Sequence, residues 1–186
     1  EAALDIYRKN TPEEITAIYI PLASPQRAMR DPASRERPLV VGIFLTALTN
    51  KPRLQVLVEQ LERNPRVGEI LIRPHPVKVI REDLSVLCAR SERIRDTFGT
   101  PLFENIERCD IVVCGNSTVT VELLRGGVPV FYDGKLDGLP HDYNGYLRHG
   151  LVLPVPEQLD EAALQFRSRF YGSSAGLTKL RCFDAA

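Results

Sequence analysis

The sequence has no excess of charge of either sign. Lysine and arginine together number 24 and aspartate and glutamate 24, so the formal net charge is zero. That balance argues against a nucleic-acid binder held by phosphate electrostatics, which shows a basic excess. Cysteine is scarce: Cys88, Cys109, Cys114 and Cys182 form no C-x-x-C pair and show no zinc-site spacing with histidine. Cys109 and Cys114 flank an apolar run, where a thiol behaves as a small buried hydrophobe, and reduced thiols fit a cytosolic protein. No apolar run approaches the ~18 residues needed to span a bilayer, and no signal peptide is recognisable. The G-x-x-x-x-G-K-[ST] phosphate loop is missing, as is an Asp-x-Asp pair to hold a divalent metal. Internal repeats and low-complexity tracts are absent too. The first residue is Glu1 and the single methionine is Met29, which reads as a piece trimmed from a longer protein.

What is present is an ordinary globular composition, 44% hydrophobic and 26% charged. At 186 residues the chain is one domain, or one and a half, able to bury roughly 70% of its unfolded surface. From Pro38 onward, short apolar runs alternate with helical periodicity. Leu39 to Leu45 reads as a buried parallel strand, because residues of both parities are apolar. Thr49-Asn50-Lys51 is a polar turn, and Pro52 suits a first helical position. Leu54, Leu57, Val58 and Leu61 then give an amphipathic stripe that Asn64-Pro65 stops. Glu69 to Ile72 is a second strand, running into Arg73-Pro74-His75-Pro76. A helix is expected near Leu84, Leu87 and Cys88, and a short strand between Ser91 and Gly99 stays open. Thr100 is expected to cap a helix from Pro101 with Leu102 and Ile106 inward. Asp110 to Cys114 is a strand, Gly115-Asn116 a turn, Ser117 or Thr118 a helix start and Gly126-Gly127 its end. Val128 to Tyr132 is the next strand. Leu159, Ala163, Phe166 and Phe170 predict a last helix.

This alternation predicts an α/β domain, a Rossmann-like parallel sheet with helices on both faces. Residues 1–37 read as a short strand (Ile15 to Ile20) and a linker, 38–175 as the domain, and 176–186 as a tail. In such a sheet ligands bind beyond the carboxyl ends of the strands, and three features fall there. Ser117 and Thr118, with Asn116 before them, form a candidate phosphate cradle, although Ser117 could equally be a plain helix cap. Glu122, one turn on, either reaches a ribose hydroxyl or is a solvated surface carboxylate. Arg73 and His75 end the second strand. The flanking prolines hold His75 extended, and an imidazole there can donate to, or protonate, a phosphate oxygen. Arg73 pairs with a phosphate or with a surface acid. Asp133 to Gly150 is the third feature, a loop too rich in polar and aromatic groups for a plain connection, or else a long loop whose tyrosines pack on its own turns.

Together these features resemble the C-terminal, donor-binding half of GT-B fold glycosyltransferases. More narrowly, they look like the enzymes that use CMP- or CDP-activated donors for bacterial surface polysaccharides such as capsule. Bacterial sialyltransferases and Kdo transferases carry an HP motif and a later Ser-Ser/Thr motif that engage the donor phosphate; His75-Pro76 and Ser117-Thr118 match them. Teichoic-acid glycerophosphotransferases show a similar HP and a G-x-P-V-hydrophobic strand, matched by Gly127 to Phe131. The resemblance covers residues 38–157. It implies a donor phosphate between Ser117-Thr118 and His75, with His75 catalytic and Arg73, Asn116 and Glu122 binding the nucleotide. Thr46, Asn50, Asp142 and Tyr143 would be sugar or loop contacts. No metal or other cofactor is implied; the partners are a nucleotide-activated sugar or alditol and an N-terminal acceptor domain supplied by the rest of the parent. The acidic motif that supplies the base in several sialyltransferases belongs to that other domain, and Asp137-Gly138 is in the wrong place to be it. The implied location is the cytoplasm, or the inner membrane face through the parent protein. Three other readings stay open: a UDP-sugar epimerase of the same fold using His141-Asp142, a non-catalytic nucleotide-sugar-binding or interaction module, and a flavodoxin-like regulatory domain without nucleotide.

Overall fold

Leu39–Phe44 forms the first strand, β1, and the chain leaves almost none of it to water. A strand apolar on both faces must be sandwiched, so layers above and below it are required. A computed structural model of the chain describes residues 36–77, 83–139 and 141–156. The strand expected at Ile15 to Ile20, the helix around Leu159 to Phe170 and the tail from 176 lie outside the described residues.

After β1 come α1 (Lys51–Arg63), β2 (Val67–Arg73), α2 (Ser85–Cys88) and β3 (Ile94–Asp96). They are followed by α3 (Leu102–Arg108), β4 (Ile111–Cys114), α4 (Val119–Arg125), β5 (Val130–Tyr132) and β6 (Leu153–Pro154). All strand pairs are parallel, in the order β3-β2-β1-β4-β5-β6. This is the doubly wound order of a Rossmann-like sheet, and it differs from the flavodoxin-like order 2-1-3-4-5. The chain reverses its direction of travel across the sheet between β1 and β4, so the crevice falls at their carboxyl ends. There Phe44, Arg73, Cys114 and Tyr132 stand side by side in register.

Strand alternation splits the core in two. Val41, Ile43, Ile70, Ile72, Ile111 and Val113 face the layer built by Leu54, Leu57, Val58 and Leu61 of α1. These four are the stripe expected from the sequence, and each contributes about 1.5–3 kcal/mol by its burial. Phe44, Leu71, Val112, Cys114 and Val130 face the other layer, with Leu123 and Leu124 of α4. Gly42 is small for a reason of space. A Cβ there would lie 2.8 Å from Cys109 Sγ and 2.9 Å from both the Phe44 ring and the Val112 side chain.

The helix ends follow local chemistry, with one correction. Asn50 caps α1, its Oδ1 accepting the Arg53 N–H at 3.2 Å, and Asn64 closes the helix. Thr100 does not cap α3: Pro101 occupies that position and no side-chain cap bond forms. Leu102 and Ile106 pack against the core as expected, with the fully buried Asn105 between them on the same face of α3. The helix expected near Leu84 shrinks to the single turn α2, and β3 occupies the open stretch between Ser91 and Gly99. Strand β6 had no sequence signal. It is two residues long and ends in Pro154, which an edge position tolerates because no ladder N–H is needed. Among the described residues no helix is long and apolar enough to cross a membrane.

Candidate functional site

The turns after β2 and β4 face each other at the crevice and enclose a cleft of about 200 Å³. Arg73, His75 and the two flanking prolines line one side, and Ser117, Thr118, Val119 and Glu122 the other, with Phe44, Leu45 and Leu102 also in the lining. Residues some 40 positions apart in sequence are thereby brought to one place, as their positions at strand ends predict. A second cleft of about 220 Å³ continues past Arg73 and the same prolines to Phe98, Gly99 and Thr100.

His75 makes one contact within its own turn. The Val77 N–H donates to His75 Nδ1 at 3.3 Å, so a singly protonated ring carries its proton on Nε2. Arg73 is anchored by one nitrogen, which donates to the Thr100 carbonyl at 2.7 Å. Burial lowers its pKa and the charge of Glu122 opposes that shift, which places the guanidinium and this carboxylate within electrostatic reach of each other. A guanidinium stays charged under such burial, so the cleft keeps one fixed cation. Thr118 is the residue before α4 and makes no side-chain cap bond. Ser117 donates its N–H to the Gly115 carbonyl at 2.9 Å, and its own carbonyl accepts from Thr120. The Thr118 hydroxyl is therefore not used up as a helix cap.

Other expected contacts sit elsewhere. Asn116 was expected on the phosphate, but its side chain ties down the long loop after β5. Its Nδ2 donates to Asp137 at 3.3 Å and to the His141 carbonyl at 3.1 Å. Its Oδ1 accepts from the Tyr132 hydroxyl at 3.1 Å and from the Tyr143 N–H at 2.7 Å. The Asp142 carboxylate accepts three main-chain N–H groups, from Tyr146, Leu147 and Arg148, at 2.8 to 3.1 Å, and so closes a turn. Tyr143 is 45% exposed, away from the cleft lining. Thr46 accepts the Leu48 N–H in a local turn, and Asn50 is the α1 cap already described; neither lines the two clefts.

Two carboxylates of the long loop are buried without any mark in the sequence pattern. Asp133 is 2% exposed and holds the Arg53 Nε at 2.6 Å. Asp137 is 5% exposed and accepts the Asn116 N–H at 2.6 Å. A roomier cavity of about 520 Å³ lies beside them, lined by Arg53, Tyr132, Asp133, Lys135, His141 and Asp142 among others. Its guanidinium, that of Arg53, is paired with the Asp133 carboxylate at 2.6 Å. Among the described residues no group of three or more His, Cys, Asp or Glu side chains converges as metal ligands do.

The loop network makes a pH prediction. Burial and then the Asp142 charge push the Tyr132 hydroxyl up to about 12, against the pull of its bond to Asn116. Tyr146 is also pushed up, by burial first. Unfolded tyrosine titrates near pH ~10, so the folded form binds protons more tightly above that value. The stabilisation is fully present below pH ~10 and is lost as pH rises towards about 12. Urea unfolding across this window should show stability falling, with a smaller fall in Tyr132→Phe. An equal fall in both proteins would contradict the assignment.

No family model matches this chain, and no curated protein matches it either. Solved structures similar to it include the glycotransferase of kitacinnamycin, at 17% identity and TM-score 0.49, over 89% of this chain and 43% of that one. Another is the glycosyltransferase SnogD from Streptomyces nogalater, at 18% identity and TM-score 0.47, over 94% of this chain and 43% of that one. A third is the pneumococcal O-GlcNAc transferase GtfA, solved with UDP and GlcNAc, at 13% identity and TM-score 0.48, over 97% of this chain and 38% of that one. The chain spans less than half the length of these structures.

Proposed function

We propose that this chain is the donor-binding half of a glycosyl- or glycerophosphotransferase that uses a CMP- or CDP-activated donor in surface polysaccharide synthesis. One observation carries the reading: Arg73 and His75 share a single cleft with Ser117 and Thr118 at the point where the strand order reverses. A donor phosphate placed there meets a guanidinium, an imidazole Nε2–H and two hydroxyls. The reacting bond joins the transferred group to a phosphate oxygen. As it breaks, the electron pair stays with the nucleotide and negative charge grows on its phosphate. Donors fixed in advance stabilise that charge more than they stabilise the intact donor, which is what lowers the barrier. The reading calls for no metal, because Arg73 and His75 supply the compensating charge and proton.

The adjoining cleft extends the site in the direction a nucleoside would take, and Phe98, 37% exposed there, offers a ring face for stacking. Leu48, Val77, Phe98 and Tyr143 are exposed on four different loops at the carboxyl edge of the sheet. Apolar side chains gathered on that edge suit a second lobe closing over the cleft, and that lobe would bring acceptor and base. In this reading Asn116 and Asp142 shape the loop and do not touch the donor. The epimerase alternative gains little, since the Asp142 carboxylate already holds three main-chain amides.

Two variants test the cradle. His75→Ala and Ser117→Ala should each weaken CMP or CDP binding about tenfold, the loss of a hydrogen bond to a charged group, while leaving thermal unfolding of the free chain unchanged. Unchanged nucleotide binding in both, measured by titration calorimetry, would show that the phosphate does not sit there.

A further inference from the structure

The residue that sets the position of Ser117 and Thr118 is not in the cleft. Asp137 lies in the loop between β5 and β6, and both its oxygens are engaged. One accepts the Asn116 main-chain N–H at 2.6 Å, a short charge-assisted bond. The other accepts the Asn116 side-chain amide at 3.3 Å and the Leu139 N–H at 3.1 Å. The carboxylate also lies so close to Gly115 that any Cβ at that position would overlap it. Gly115 has no positive φ, so glycine is needed here for this approach and not for backbone conformation.

The same residue reaches the third loop of the crevice. Its main chain forms an antiparallel bridge with Thr49, flanked by bonds of 2.8 Å from Gly138 N–H to the Leu48 carbonyl and from Asn50 N–H to the Leu136 carbonyl. The Asp137 carboxylate thus fastens the turn after β4 to the loop after β5, and the main-chain bonds on either side of Asp137 tie that loop to the one after β1. Ser117 and Thr118 are the next residues along from that turn. We propose that Asp137 is the positioning residue of the donor site, holding Ser117 and Thr118 opposite Arg73 and His75 without touching the ligand. This rests on the donor-site reading above. An amide cannot replace it, since asparagine has one acceptor oxygen and would turn an N–H₂ group against a main-chain donor.

The test compares CDP with cytidine, which has no phosphate, on the full chain. Asp137→Asn and Gly115→Ala, which perturb the contact from opposite sides, should each weaken CDP binding about tenfold or more and leave cytidine binding within about twofold. A general loss of structure would weaken both ligands alike, and that outcome overturns the inference. If His75→Ala and Ser117→Ala weaken CDP binding but Asp137→Asn and Gly115→Ala do not, positioning by Asp137 is wrong while the donor site stands. If none of the four variants changes binding, the donor site itself is wrong. Should the variants fail to fold, hydrogen exchange on the unaltered chain decides. The Asn116 and Ser117 amides should gain protection with CDP and not with cytidine, and equal protection by both ligands would overturn the proposal.

Discussion

Arg53→Ala is expected to destabilise the chain by about 3 kcal/mol or more, the cost of leaving a buried charge without its partner. The partner is Asp133, 2% exposed, with Arg53 Nε at 2.6 Å and the Lys135 N–H at 3.0 Å on its other oxygen. Without the guanidinium, one main-chain bond must hold a carboxylate that water scarcely reaches. Length alone does not set this cost. Arg108 approaches Glu69 at 2.9 Å, yet its side chain is 45% exposed and Arg95 reaches the same carboxylate. Solvent screens that pair, so Arg108→Ala should change stability by about 0.5 kcal/mol or less. Urea unfolding at neutral pH distinguishes the two variants by their midpoints. Small and equal effects would mean that Asp133 is better solvated than its burial indicates.

The contrast between these two pairs also marks what the sequence makes legible. Strands β1, β2, β4 and β5 were readable because burial on both faces demands unbroken apolar runs, and α1 because its stripe has a helical period and its ends carry Asn50, Pro52 and Asn64. The helix end at Gly126-Gly127 was readable too: Gly127 adopts a φ of 74°, which glycine reaches without strain. Strand β6 was not, since two residues have no period and their pairing with Phe131 and Tyr132 is set by the sheet edge. The inward face of α3 was readable from Leu102 and Ile106, but the burial of Asn105 between them was not, because a polar residue carries no apolar period.

At the site, the sequence located groups by topology and could not say what each one bonds. Arg73, His75, Ser117, Thr118 and Glu122 do share a cleft, because strand ends in a parallel sheet converge on one edge. Asn116 and Asp142 lie on that edge too, but their side chains are taken up by main-chain groups of a loop whose path no periodicity describes and, for Asn116, by the side chains of Asp137 and Tyr132 as well. Asp133 and Asp137 were invisible for the same reason. A carboxylate becomes structural only through the donors that surround it, and here those donors come from α1, from the turn after β4 and from the loop itself.

The most direct measurement on the central claim is thermal melting of the full chain against a panel of CMP, CDP, UDP and GDP. A ligand that binds only the folded state adds about 2.7 kcal/mol when present at about 100 times its dissociation constant, a shift easily seen in a domain of this size. A response to UDP alone would keep the cleft and move the donor to a UDP-sugar. The account predicts stabilisation by CMP or CDP exceeding that by UDP or GDP, and cut to about half by His75→Ala at the same ligand concentration. A melting curve unmoved by all four nucleotides would contradict it.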